Sequence, residues 1–159
     1  MRLFHFTNYY NFINILKSGK IIRSNPIKNN YQNSGIYIYP CFDNKDGIIQ
    51  MMNQRGNTIL EINKNVLYHY TWSGDMIQKN GLVHELQNNN PDDTPININL
   101  LKKNKPHLGE ILVAKEELDI SSYVKKVYIP KNMPRNWDNI IKTSSLSISH
   151  YSFKDLVDK

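Results

Sequence analysis

Leu3-Phe4-His5-Phe6-Thr7, continuing through Asn8 to Gly19, is the stretch on which the fold of this chain turns. Residues 3 to 6 alternate and predict a short strand. Asn8 is placed to cap a helix whose apolar face is Tyr9, Phe12, Ile13 and Leu16. Gly19 stands where a left-handed C-cap belongs, with Lys17 and Lys20 near the negative helix end. A histidine closing a strand has two readings. It is a structural hydrogen-bonder or a group that meets a ligand, and the strand alone does not choose between them.

Working outward, Arg23 to Ser34 is rich in Asn, contains Pro26 and reads as a loop. Ile36 to Tyr39 predicts a second strand, stopped by Pro40. Asp43 to Asn53 reads as a helix start followed by a turn or short helix. Asn57 to Ile62 and Leu67 to Trp72 read as third and fourth strands. Met76 to Gln87 fits no single pattern. Gln87 to Pro106 is the most polar and turn-rich part, with Asn88-Asn89-Asn90-Pro91 and at most a short helical piece at Asn97 to Lys103. A loop that long in a small domain usually has a function. Gly109 to Val113 and Val124 to Ile129 predict two more strands, the latter closed by Pro130. Ser152 and Asp155 have capping-box spacing for a last helix with Phe153, Leu156 and Val157 on its apolar side.

The 159 residues fit one domain, 1–159, long enough to bury a core. No apolar run is long enough to span a bilayer, and no secretory signal is expected. Cys41 is the sole cysteine, which excludes an internal disulfide and zinc sites built on several cysteines. A cytoplasmic protein is therefore expected. The histidines show no metal-ligand spacing with carboxylates, so no metal is expected. There is no phosphate loop and no Gly-x-Gly-x-x-Gly. The formal net charge is +6. It suits a polyanionic partner such as DNA or RNA, and equally a basic protein that is merely soluble.

Three islands stand out in order: His5-Phe6-Thr7, Ser34-Gly35-Ile36-Tyr37, and Gly109-Glu110-Ile111-Leu112-Val113. The first, with Asn14-Ile15-Leu16-Lys17-Ser18-Gly19, resembles the opening of ADP-ribosyltransferases of the histidine–tyrosine–glutamate class. It is most similar to the DarT family of nucleic-acid-modifying toxins. The second resembles the Gly-x-Tyr segment of poly(ADP-ribose) polymerases, and the third the strand that carries the family's glutamate. The resemblance spans residues 3 to 113. It implies an α+β fold with split, twisted antiparallel β-sheets and flanking helices, and NAD as co-substrate.

On that resemblance, Glu110, His5 and Tyr37 are the catalytic set. Glu110 sits beside the ribose whose bond to nicotinamide breaks, stabilises the positive charge and orients the acceptor. His5 holds a ribose hydroxyl, the Phe6 backbone meets the carboxamide and Thr7 supports them. Tyr37 stacks on nicotinamide, with Tyr39 as the alternative. The DarT family also uses an arginine, for which Arg23 and Arg55 are candidates.

Two departures refine the expectation. The place two residues before Glu110 is Leu108 rather than Gln or Glu, which disfavours an arginine acceptor. Phe6 replaces the glycine that follows the histidine in polymerase-type members, which favours the DarT-like side. The acceptor is then a nucleic-acid base, in single-stranded DNA or RNA. Arg55, Lys102, Lys103, Lys105 and His107 are the candidate contacts, unless residues 87–108 are only a solvated loop. Tyr68, His69, Tyr70 and Trp72 form either core packing or a base-stacking cluster. The resemblance further implies a toxin or phage-defence role and an antitoxin partner. Rival readings are a protein-modifying ADP-ribosyltransferase, an RNA 2′-phosphotransferase, and an inactive nucleic-acid-binding domain of the same fold. The chain's four arginines (Arg2, Arg23, Arg55 and Arg135) are few for a phosphotransferase.

Overall fold

Strand β1 (Arg2–Thr7) buries both of its faces, and the molecule is layered around it. The structure is a computed structural model and describes residues 2–22, 36–41, 45–69, 111–113, 117–131, 139, 145–151 and 153–156. From β1 the chain enters α1 (Tyr9–Ser18) and then β2 (Lys20–Ile22). Next come β3 (Ile36–Cys41), α2 (Lys45–Arg55), β4 (Thr58–Ile62) and a 3-10 turn (Lys64–His69). The later elements are β5 (Ile111–Val113), β6 (Glu117–Asp119), α3 (Ile120–Tyr123), β7 (Val124–Ile129), β8 (Ile148–His150) and α4 (Phe153–Leu156). The fold is α+β.

The main sheet has six strands in the order β5-β3-β1-β4-β7-β8, and β2 pairs with β6 in a second, two-stranded sheet. Because successive side chains of a strand point to opposite faces, the main sheet feeds two cores. On one face Leu3, Ile36, Ile38, Leu60, Val127 and Ile129 pack with Phe12 and Ile15 of α1 and with Ile21 and Leu118 of the small sheet. On the other, Phe4, Phe6, Tyr39, Ile59 and Tyr128 pack with Ile48 and Met51 of α2 and Leu156 of α4. The main sheet is thus the middle of three layers.

The opening motif takes its expected strand, caps and helix, but the helix buries Phe12 and Ile15, with Tyr9 and Leu16 packed beside them, and Ile13 stays out of the core cluster. The Asn8 side chain accepts from the Asn11 N–H at 2.9 Å, and Gly19 takes φ 73° while its N–H closes on the Ile15 carbonyl. Elsewhere the structure corrects the sequence reading. The main sheet is not wholly antiparallel, because β7 and β8 run parallel. Strand β3 does not stop at Tyr39 but continues through Pro40, in register with Leu3, to Cys41. Leu67 to His69 belong to a 3-10 turn, not a strand. Asn63 explains this: its side chain accepts from the Asn65 N–H and its carbonyl from the Val66 N–H, a local turn that outcompetes extension. Residues 70–72 lie outside the described residues.

The N-terminal end of β1 is held by charge. The Arg2 guanidinium donates from Nε and Nη2 to the two Glu61 oxygens, at 3.2 and 3.0 Å, and also reaches the Tyr128 hydroxyl and the Asp155 carbonyl, both at 2.6 Å. Tyr128 in turn donates to Glu61 at 3.1 Å. One side chain thereby ties β1 to β4, β7 and α4. Burial pushes the Glu61 carboxyl up, but Arg2, Tyr128 and Lys125 outweigh it and hold it below its ordinary value of 4.5. A carboxylate depressed in the folded state adds stability that is complete above the ordinary value and fades as pH falls through the folded one. Replacing Arg2 by Met is expected to cost about 2–3 kcal/mol in urea denaturation, because a largely buried carboxylate loses its bidentate partner. In Glu61→Gln the acid limb of the stability–pH curve should be shallower than in the parent chain.

Candidate functional site

The site begins where two strands part. The β1–β3 ladder comprises Arg2↔Cys41, Leu3↔Pro40 and Phe4↔Tyr39, whereas β1 stays paired with β4 all the way to Thr7↔Thr58. The first half of β3, Ile36 to Ile38, has no ladder partner on β1 and pairs along its other edge with β5. Strands β1 and β3 therefore fork beyond Phe4. At the fork the His5 imidazole takes over the bonding: its Nδ1 lies 2.9 Å from the Tyr37 carbonyl oxygen. A carbonyl only accepts, so Nδ1 carries the proton and Nε2 is left as an acceptor. Burial above all pushes the His5 pKa below its ordinary 6.5. The bond to Tyr37 opposes this shift, and the neighbouring Arg55 cation adds to it. The imidazole is neutral at pH 7.

A cavity of about 810 Å³ opens at this fork. Strand β1 supplies His5, Phe6 and Thr7 to its wall, and β3 supplies Ile36 and Tyr37. Helix α1 adds Asn11, Asn14, Lys17 and Ser18, strand β2 adds Lys20 to Ile22, and α2 adds Gln54 and Arg55. By strand alternation His5 and Thr7 face α1 while Phe6 and Tyr37 face α2, so the cavity takes residues from both faces of the sheet. Three cations line it (Lys17, Lys20 and Arg55), and no carboxylate does among the described residues. Lys20 is held by Glu117 at 2.7 Å, outside the lining. The Arg55 guanidinium lies over the Tyr37 ring, 4.7 Å from its centroid.

Gly56 fixes this corner. It follows Arg55 at the end of α2, has φ 127°, and comes so near β1 that a Cβ would lie 2.5 Å from the Thr7 carbonyl carbon and oxygen. Only glycine permits that approach, which seats the end of α2 against the Thr7–Asn8 peptide.

The predicted residues divide into three sets. His5, Phe6, Thr7, Tyr37 and Arg55 meet at one cavity. Tyr39 instead lies in the core, edge to face with Phe6 at 5.9 Å, and its phenol is pushed up to about 12 by burial, with Cys41 adding to the shift. Glu110, Lys102, Lys103, Lys105, His107 and Arg23 lie outside the described residues, as do Ser34 and Gly35. The residue after Glu110, Ile111, opens β5 and pairs with Ile38. Sequence reasoning gives no site role to Asn11, Asn14 and Ser18, although their i, i+3, i+7 spacing marks a polar stripe beside the apolar one. Gln54 and β2 carry no such mark. No metal-holding group of three or more His, Cys, Asp or Glu residues occurs among the described residues.

Two measurements follow from this geometry. Gly56→Ala is expected to lower stability by at least about 2 kcal/mol, from backbone strain and overpacking together, read as a lower denaturant midpoint with an unchanged slope. A histidine depressed in the folded state confers stability that is full above its ordinary 6.5 and declines as pH falls through the folded value. The thermal midpoint should therefore drop on acidification from neutrality. The drop should shrink in His5→Gln, whose amide donates to Tyr37 without titrating. Comparison of the chain with protein-family models, with curated proteins and with solved structures gives no match.

Proposed function

We propose that the protein is an NAD-dependent ADP-ribosyltransferase acting on a nucleic-acid base, built on the split-sheet plan of that fold. The observation that carries this reading is the forked sheet. His5, locked as a neutral acceptor by the Tyr37 carbonyl, shares one cavity with Tyr37 and Arg55. The cavity falls in the usual range for ligand sites, roughly 300–1,000 Å³. Lys17 and Arg55 in its wall suit a diphosphate, and its Nε2 acceptor suits a sugar hydroxyl. NAD fits these features.

When bound, NAD supplies the ADP-ribosyl group, with nicotinamide as the leaving group. His5 Nε2 accepts from a ribose hydroxyl and fixes the sugar's pose. Phe6 and Thr7 present the backbone at the end of β1. The Tyr37 ring, with the Arg55 guanidinium over it, provides an aromatic wall suited to a planar group such as nicotinamide. Arg55, seated by Gly56, is the arginine placed to meet phosphate or the developing charge of the acceptor. Glu110 has the role of stabilising and orienting. It directly precedes β5, the strand that neighbours Tyr37 through Leu112. The nucleic-acid acceptor is favoured by Leu108 in place of a polar residue and by the net charge of +6. A toxin or phage-defence role, an antitoxin partner and a cytoplasmic site of action follow from the DarT resemblance and the sequence composition.

Incubation with labelled NAD and separate pools of single-stranded DNA, RNA and protein tests the reading. Label is expected on one of the nucleic acids. Glu110→Ala should lose transfer while NAD still binds in calorimetry, and His5→Ala should weaken NAD binding about ten-fold, the worth of one hydrogen bond in a half-buried site. Label on protein alone overturns the nucleic-acid acceptor, and a parent chain that binds no NAD overturns the enzyme.

A further inference from the structure

Among the described residues two large apolar side chains stand out in solvent, Tyr10 at 75% exposure and Ile22 at 65%. Both belong to elements that supply the cavity wall. Ile22 lines its wall, and Tyr10 directly precedes the lining residue Asn11 on α1. The Tyr10 ring is propped rather than loose: Tyr9, itself packed on the core, meets it edge to face at 5.3 Å. At about 100° per residue, Tyr10, Asn14 and Lys17 fall on one strip of the helix. Along the axis the aromatic and the cation are about 10 Å apart. Lys17 has no hydrogen-bond or ion-pair partner among the described residues, whereas Lys20 is matched by Glu117.

The N-terminal sequence that holds this strip is basic. Residues 1–42 contain Arg2, Lys17, Lys20, Arg23 and Lys28 and no Asp or Glu, the first acid being Asp43. Arg2 is neutralised by Glu61. Helix α1 itself carries no carboxylate at all.

We propose that this strip of α1 binds single-stranded nucleic acid, with a base stacked on Tyr10 and a backbone phosphate met by Lys17, so that the strand runs past Asn14 to the cavity mouth. An exposed, braced ring beside cations is the pairing by which proteins hold single strands, since every base offers a face to stack. A duplex keeps its base faces covered and would leave Tyr10 without a contact. That the bound strand is the acceptor of ADP-ribose rests on the NAD reading above. That it binds at Tyr10 and Lys17 does not.

The test is fluorescence anisotropy with labelled single-stranded DNA and RNA oligonucleotides and a DNA duplex of equal length, without NAD. The parent chain is expected to bind a single strand more tightly than the duplex, and the ratio of the DNA and RNA arms identifies the preferred sugar. Tyr10→Ala should weaken binding about ten-fold, as loss of one stacked base does, and Tyr10→Trp should restore it. Lys17→Ala should reduce the slope of log affinity against log salt by about 0.7, the share of one phosphate on a single strand. Tyr10 is on the surface, so its replacement leaves the fold in place, and calorimetric NAD binding by Tyr10→Ala should match the parent chain. Equal affinity of parent and Tyr10→Ala, a duplex bound as tightly as a single strand, or no binding of either oligonucleotide overturns the proposal. Tyr10-dependent binding without NAD binding supports the strip and removes the NAD reading; NAD binding with Tyr10-independent strand binding does the reverse.

Discussion

Where the β1–β3 ladder ends at Phe4↔Tyr39, the contact between the two strands passes from backbone to a side chain. Buried backbone groups are almost always paired, because an unpaired one costs about as much as a lost hydrogen bond. The His5 imidazole bonds the Tyr37 carbonyl at the point where β1 and β3 have already parted. The contact between the strands therefore continues past the end of their ladder, in the wall of the cavity. The same bond sets the chemistry of that cavity. It consumes the imidazole's one proton, and burial and Arg55 keep a second from being added. A single contact thus spans the parting strands and makes the wall between them present an acceptor.

The two ends of β1 use arginine in opposite ways. At one end Arg2 is matched by Glu61 and Tyr128 in a closed network that joins three strands and a helix. Its charge is used up internally, and its contribution is cohesion. At the other end Arg55 lies on the Tyr37 ring, in a wall with no carboxylate among the described residues. A guanidinium over a ring places a cation against the aromatic wall, so charge and flat surface meet at one corner of the cavity. Gly56 supports this, because the close approach of α2 to the Thr7–Asn8 peptide carries Arg55 to the end of β1.

The parts of the fold legible in the sequence are those whose cues are local. The β1–α1 unit is one: alternation from Leu3, the Asn8 side chain, the helical spacing of Phe12 and Gly19 all act within a turn or two of the chain, and each has its expected partner. The parts that were not legible depend on distant pairing. Strands β2, β6 and β8 are three residues each and exist because Ile21 meets Leu118 or Val127 meets Ile148. Pro40 was read as a terminator from its missing N–H, yet β3 runs through it. Leu67 to His69 alternate like a strand but follow Asn63, whose local hydrogen bonds curl the chain first. In the site the same division holds. His5, Phe6, Thr7 and Tyr37 were marked by position and type, whereas Gln54 and the contact of Gly56 with β1 have no sequence signature, being consequences of packing.

The electrostatics of the fork bear on what kind of ligand it suits. A neutral imidazole beside a guanidinium is a mutually reinforcing pair, because each positive charge nearby makes protonation of the ring harder. The more cationic the cavity becomes, the more firmly His5 remains an acceptor. Most clusters of Lys, Arg and His present donors only, and they bind phosphate without discriminating what it is attached to. Here one acceptor is fixed among donors, at the end of a strand that cannot shift without breaking the bond to Tyr37. A ligand satisfying both needs a hydroxyl and an anionic group a few ångströms apart, which is the chemistry of a sugar phosphate. Inorganic phosphate would fill only the donor half, and a simple sugar only the acceptor. The selectivity expected of the cavity therefore comes from His5 being the group that cannot change sign, with the cations supplying affinity around it.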